Sequence, residues 1–241
     1  MIEFIQPCNL DESQRLFHGR GHAYPELSHV NIDWFEPVIL ITLYQEVEAE
    51  WLTEQVTQLR TLTDRCQSIQ VQYRCRKFAP CELVWGKEIS HLTALEHGLK
   101  YHISLGKAQN SGLFLDMRNG REWVKTHSEN KRVLNLFSYT CAFSVAALAG
   151  NASKVVNIDM SKSSLSKGRE NHRLNKQDLD KVIFEGVDIF KSYGRLKKHG
   201  PYQLLISDPP SFQKGSVDIE RDYKKIIRRL PDLMSENGDV L

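Results

Sequence analysis

Residues 132–159, RVLNLFSYTCAFSVAALAGNASKVVNID, constrain this chain more than any other stretch. An apolar run from Val133 to Phe137 is followed by a polar turn, Ser138, Tyr139 and Thr140, and by a small-residue helical pattern from Ala142 to Ala149. A break at Gly150-Asn151 and a second apolar run, Val155 to Ile158, lead to Asp159. Strand, turn, helix, strand and acid in this order make a βαβ unit. Its carboxylate lies about twenty residues past the turn, the layout that holds a nucleoside. The segment Ser138 to Phe143 lacks the G-x-G-x-x-G spacing, which disfavours a nicotinamide-dependent dehydrogenase.

The same rhythm continues to the end of the chain. Ser161 to Asn175 is predicted as a helix capped by Ser161 or Ser163. Lys181 to Val187 is the next strand, ending on Asp188, and Phe190 to His199 reads as a short basic helix. Tyr202 to Ser207 is a buried strand ending on Asp208-Pro209-Pro210, Ile219 to Met234 is an amphipathic helix, and Gly238 to Leu241 begins one more strand. Strands alternating with helices imply a Rossmann-like, doubly wound parallel sheet with ligands at the carboxyl ends of the strands. Asp159, Asp188 and Asp208 stand at or just past three successive strand ends, so they share one crevice. There the first suits ribose hydroxyls, the second an exocyclic adenine amine, and the third opens towards a second substrate. The run Asp208-Pro209-Pro210-Ser211-Phe212 adds rigidity: two prolines fix φ and remove two N–H donors, so they cannot continue a paired strand. Phe212 offers a face on which a planar base can stack.

Ahead of this part lies a small α+β unit. Val38 to Tyr44 and Ile69 to Tyr73 are predicted strands, Glu82 to Trp85 is a third candidate, and Glu46 to Leu62 has helical apolar spacing. Residues 1–36 give no clear pattern, and Phe17 to His22 reads as a solvated loop. Arg65, Arg74, Arg76 and Lys77 lie near Tyr73 and Phe78, a mix that suits RNA and equally suits a solvated strand edge. Leu99 to Leu105 alternates as a strand. Asp116 and Arg118, two residues apart, would share a side of a strand and clasp a zwitterion, or would sit at a helix start.

The whole-chain balance excludes several classes. At 241 residues the chain can bury a sizeable core, and a net charge of +2 confines any polyanion-binding surface to a local patch. No apolar run approaches the roughly 18 residues of a membrane span, and the N-terminus lacks the pattern of a signal peptide. Five scattered cysteines argue for free thiols in a reducing cytoplasm. Their spacing makes no zinc site, so no metal is expected.

Four stretches together, NLFSYTCAFSVAALAG, VVNIDMS, VDIF and SDPPSF, resemble motifs I to IV of class I S-adenosylmethionine-dependent methyltransferases. The segment GLKYHISLGKAQNSGLFLDMR is similar to the one that precedes motif I in bacterial 23S ribosomal RNA methyltransferases making 5-methylcytosine or 7-methylguanine. The resemblance implies a methyltransferase domain at residues 97–241 behind a small α+β domain at 1–96 with an RNA-binding or substrate-recognition role. It implies methyl transfer to a base, in ribosomal RNA, with S-adenosyl-L-methionine as cofactor. Phe137, Ser138, Tyr139 and Thr140 would wrap the methionine part. Asp159 would bind the ribose, with Met160 packing on the adenine, and Asp188 and Ile189 would hold the adenine edge. Asp208, Pro209, Pro210 and Phe212 would face the methyl group and the target base. Asp116 and Arg118 match the family's LD-x-R element and would lie by the methionine carboxylate or the target. Lys214, Arg221, Lys224, Lys225, Arg228 and Arg229 could hold the RNA backbone or form a solvated helix face.

Two departures from the family pattern stand out. Cys141 occupies the usual place of a glycine, where its side chain is expected on the cofactor side, narrowing the turn and playing no catalytic part. The chain also stops at the fifth strand, so a truncated chain or a shortened family member is expected. The nucleophilic cysteine of the 5-methylcytosine relatives would belong to the missing part. A rival reading from another class is an RNA-binding or assembly protein that keeps the fold without the activity.

Overall fold

A computed structural model of the chain describes residues 2–5, 10–21, 23–106, 109–210, 212–213 and 217–241. The chain divides into two compact units, residues 1–118 and 119–241.

The first unit holds strands β1 (Gln14–His18), β2 (Val30–Phe35) and β3 (Val38–Leu43), helix α1 (Ala49–Leu59), and strands β4 (Ser68–Tyr73), β5 (Cys81–Gly86), β6 (His91–Glu96) and β7 (Leu99–Ser104). Strands β1 to β5 form one sheet in sequence order, antiparallel except where α1 carries the chain from β3 to a parallel β4. The β-branched runs VILITL and SIQVQY have Ile39, Ile41, Ile69 and Val71 fully buried beside Trp34 and Leu59. Strand β2 escaped the sequence pattern because Asn31 and Asp33 interrupt its apolar run, yet it is buried along its whole length. Asp33 tolerates this because Arg15 holds both its carboxylate oxygens, at 2.7 and 3.2 Å. Phe17 and His18 close β1 and Gly19–Gly21 form a 3₁₀ turn, so the described part of the expected loop is regular structure instead; His22 lies outside the described residues. Strands β6 and β7 pair across His97-Gly98, both left-handed (φ 49° and 76°), the backbone a two-residue hairpin requires.

Helix α2 (Arg118–His127) starts on the last residue of the first unit, and the second unit continues through β8 (Arg132–Leu136), α3 (Ala142–Ala149), β9 (Lys154–Ile158), α4 (Lys162–Leu174), β10 (Val182–Glu185), α5 (Tyr193–Lys198) and β11 (Tyr202–Ser207). A short ribbon of β12 (Phe212–Gln213) and β13 (Val217–Asp218) precedes α6 (Ile219–Ile227), α7 (Leu230–Leu233) and β14 (Met234–Val240). Helix α2 has little apolar content, so only its start was legible in the sequence: the helix begins at Arg118, the second of the two readings given for Asp116 and Arg118. The single long helix expected up to Met234 is broken, because Pro231 opens a new turn at the start of α7, and the last strand begins at Met234 rather than Gly238.

The five main strands are all parallel, in the order β10-β9-β8-β11-β14. This is the expected doubly wound sheet. Chain direction reverses across the sheet between β8 and β11, and ligands of such sheets bind at that switch point. Leu134, Leu136, Val156, Ile158, Tyr202 and Leu205 make its fully buried centre.

Candidate functional site

Register makes the site. Leu136 pairs with Ile158 and with Ser207, and Ile158 pairs with Glu185, so four parallel strands end level. The residues just past these ends are therefore brought to one edge: Phe137 after β8, Asp159 after β9, the 186–189 segment after β10 and Asp208 after β11.

The turn after β8 has an unusual backbone. Phe137, Tyr139 and Cys141 all have positive φ (52°, 45° and 60°), conformations that side chains with a Cβ seldom adopt. Such strain persists only where surrounding structure over-determines it and clusters at ligand sites. Strand β9 supplies part of the hold. The Ser138 N–H donates to the Ile158 carbonyl at 3.0 Å, and the Tyr139 N–H donates to Asp159 Oδ2 at 2.8 Å. The other Asp159 oxygen, Oδ1, accepts from the Ser161 N–H at 2.8 Å. Ser161 is also the N-cap of α4, its Oγ accepting from the Ser164 N–H, as one of the two expected caps. Thus Asp159 joins the β8 turn to the start of α4 and stays partly exposed. Burial and the Asp159 charge push the Tyr139 phenol up to about 12, so it remains protonated.

Helix α4 grips the same turn from behind. Asn171, fully buried, donates from Nδ2 to the Thr140 carbonyl at 3.0 Å. A Cβ on Gly168 would lie 2.3 Å from Cys141 Sγ, so the glycine leaves the space that the thiol fills. This corrects the expectation for Cys141. Its side chain is buried against α4 instead of narrowing the turn on the cofactor side. Burial also pushes the thiol far above its ordinary value, so it stays protonated and takes no nucleophilic part. Gly168 and Asn171 were missed by sequence reasoning. A glycine inside a helix, where it costs about 1 kcal/mol against alanine, was the available signal of close packing.

A chain of buried polar side chains lies beneath. Asn135 Nδ2 donates to Asn157 Oδ1, Asn157 Nδ2 to Ser144 Oγ, and Ser144 lies 2.9 Å from His172 Nε2. Gln177 Nε2 donates to the Val145 carbonyl, which leaves its oxygen, 2.6 Å away, to accept from His172 Nδ1. His172 is thereby a neutral Nδ1–H tautomer, and burial lowers its pKa to about 4.

Around this turn stand the other residues expected at the site. Met160 is 58 % exposed beside Asp159 and Ile189 is buried. Asp188 caps a 3₁₀ turn, accepting from the Phe190 N–H at 2.9 Å, with Lys191 Nζ 3.6 Å from its second oxygen. The Phe137 and Phe190 rings approach to 6.4 Å, linking the turns after β8 and β10. Asp208 is exposed, with Pro209 and Pro210 half-buried behind it. Phe212 pairs with Asp218 through the ribbon backbone, while its side chain, Ser211 and Lys214 lie outside the described residues.

Asp116 and Arg118 belong to the first unit. They sit in a 3₁₀ turn and at the first residue of α2, not side by side on a strand. Arg15 Nη2 lies 3.8 Å from Asp116, and Arg118 donates to Glu12 and, at 2.9 Å, to the Ser13 carbonyl. Among the described residues, the cations expected on the helix after the ribbon, Arg221, Lys224, Lys225, Arg228 and Arg229, are all exposed; Arg221 and Lys225 pair with buried Asp222, and Arg229 pairs with Asp232.

Comparison with known proteins agrees with this geometry. The family model described as S-adenosylmethionine-dependent methyltransferase matches residues 14–241. Ribosomal RNA large subunit methyltransferase I of Escherichia coli K12 is 31% identical over 240 residues, 95% of this chain and 60% of that protein. Its counterpart in Shigella boydii serotype 18 is 32% identical over the same shares. This chain thus spans about three fifths of the length of the curated relatives it matches. A solved structure of SMU.776, described as a candidate methyltransferase complexed with SAH, superposes with a TM-score of 0.85 at 30% identity, covering 97% of this chain and 61% of the other. The Methanocaldococcus jannaschii tRNA m1G37 methyltransferase shares the fold, with a TM-score of 0.62 at 18% identity over 92% of this chain and 62% of that one.

Proposed function

Because this chain belongs to the S-adenosylmethionine-dependent methyltransferases, we propose that it transfers a methyl group to a base of RNA, ribosomal RNA in particular. One observation carries the reading. At the switch point of the sheet, the Asp159 carboxylate braces a strained turn, and the strands that end level with it lead into two further acids, Asp188 and Asp208. The names of the relatives, which act on ribosomal RNA and tRNA, support the substrate class.

Bound S-adenosylmethionine would supply a methyl already activated on a sulfonium, so alignment and exclusion of water are what the protein adds. The residues present fit that group. Phe137, Ser138, Tyr139 and Thr140 offer a curved backbone for its methionine part. Asp159 still has lone pairs for the ribose hydroxyls after accepting two N–H groups. Met160 and Ile189 give apolar faces for the adenine, and Asp188 accepts from its amine. Asp208, Pro209, Pro210 and Phe212 form the rim where the target base is presented, and the base must leave its stack to reach it. Residues 1–96 serve RNA recognition and 97–241 methyl transfer. Cys66, Cys75, Cys81 and Cys141 are free thiols, in keeping with a cytoplasmic protein.

Titration calorimetry with S-adenosylhomocysteine tests the reading. The folded chain is expected to bind, and Asp159→Ala to bind at least about tenfold more weakly, as for loss of charge-assisted hydrogen bonds. No detectable binding by the folded parent would overturn the cofactor assignment.

A further inference from the structure

The β8 turn is held from the ligand side by Asp159 and from the buried side by α4, and the second hold has a specific target. Thr140 lies between two left-handed residues, Tyr139 and Cys141. Its carbonyl accepts from Asn171 Nδ2 at 3.0 Å, and across the same peptide the Cys141 N–H donates to the Ser138 carbonyl at 2.7 Å. A peptide is planar, so fixing the carbonyl direction fixes the opposed N–H. One side-chain amide therefore sets the plane on which the turn closes. Gly168 stands three positions earlier on the same face of α4 and seats the Cys141 side chain, so the helix holds this peptide at two points. The start of α4 is tied in turn to Asp159 through the Ser161 N–H.

We propose that Asn171, which is fully buried behind the turn, is a positioning residue for cofactor binding: it orients the 140–141 peptide so that the turn after β8 keeps its ligand-ready curvature. The proposal rests on the S-adenosylmethionine reading of this site. Its mechanism is preorganisation, because a turn fixed before binding loses less freedom on binding.

The test uses the full chain and two readouts. Calorimetry with S-adenosylhomocysteine at 20 °C compares the parent with Asn171→Ala, alongside thermal unfolding to establish that the variant is folded at that temperature. Binding is expected to weaken about fivefold to tenfold, the size of one net hydrogen bond. Hydrogen exchange without ligand reads the turn directly, and the Tyr139 and Cys141 amides are expected to exchange faster in the variant. A purely structural role would lower the unfolding temperature and leave both the 20 °C affinity and these amides unchanged; that result overturns the proposal. A folded parent that binds no S-adenosylhomocysteine overturns the cofactor reading instead, while the exchange data still judge the positioning of the turn. If Asn171→Ala does not fold, Asn171→Ser, whose shorter hydroxyl cannot span to the carbonyl, is read by the same criteria.

Discussion

Cys141 and Gly168 form a complementary pair, a buried side chain facing a helix position that has none. Gly168→Ala would place a methyl group 2.3 Å from Sγ and 2.8 Å from the Cβ of Cys141, with the Thr140 backbone at 3.3 Å. Overpacking of this kind costs about 1–3 kcal/mol. The same change on a Cys141→Gly background is expected to be milder, since the thiol is gone and glycine accepts φ 60° freely. Urea unfolding of the four proteins of this cycle should show a coupling of at least about 0.5 kcal/mol; additive effects would contradict the packing described. Residues of this sort were only half legible in the sequence. Asp159 announced itself by its place after a strand, because strand ends are visible as ends of apolar runs. The direction in which Cys141 points was not visible, since it depends on a left-handed backbone and on a glycine 27 positions away.

Among the elements, α4 does most to shape the site, and its buried His172 makes it sensitive to acid. The folded pKa is lowered to about 4 from an ordinary value of 6.5, by burial first. The unfolded chain therefore binds the proton more readily than the folded one. The stability contributed by the neutral imidazole is fully present above about pH 6.5 and is lost as pH falls towards about 4, at up to about 1.4 kcal/mol per pH unit. Unfolding measured across that window should show this slope, and His172→Gln should flatten it. Element legibility followed burial pattern. The parallel strands β8, β9 and β11 were found as apolar runs within a residue or two. Strand β2 was missed because its buried Asp33 depends on Arg15, a partner 18 residues away. Helix α2 was read only as a helix start at Asp116 and Arg118, because RNGREWVKTH holds just two apolar side chains, Trp123 and Val124.

At the scale of the whole molecule, the RNA-recognition role proposed for residues 1–96 can be probed at one exposed turn. In the turn between β4 and β5, Phe78 is 87 % exposed and left-handed (φ 67°), with Lys77 Nζ 4.9 Å from its ring centre. Arg76, by contrast, is stacked over Tyr73 at 3.6 Å and paired with Glu46 and Glu82. If this turn stacks on a base, Phe78→Ala should weaken binding of single-stranded RNA by about 1–3 kcal/mol in a gel-shift titration, whereas Phe78→Trp should retain it. Equal binding by Phe78→Ala would remove this turn from the RNA surface.

The strand order carries a further consequence for the chain as it is made. Strands β8, β9 and β10 can pair with one another as they emerge, but β11, the other neighbour of β8, begins 66 residues after the end of β8. Until then Val133, Leu134 and Leu136, all fully buried in the finished sheet, line an open edge. An unpaired apolar edge invites pairing with another chain. The strand that anchors the ligand turn is thus also the most vulnerable one during synthesis, and its protection arrives with the same segment that delivers Asp208 to the site.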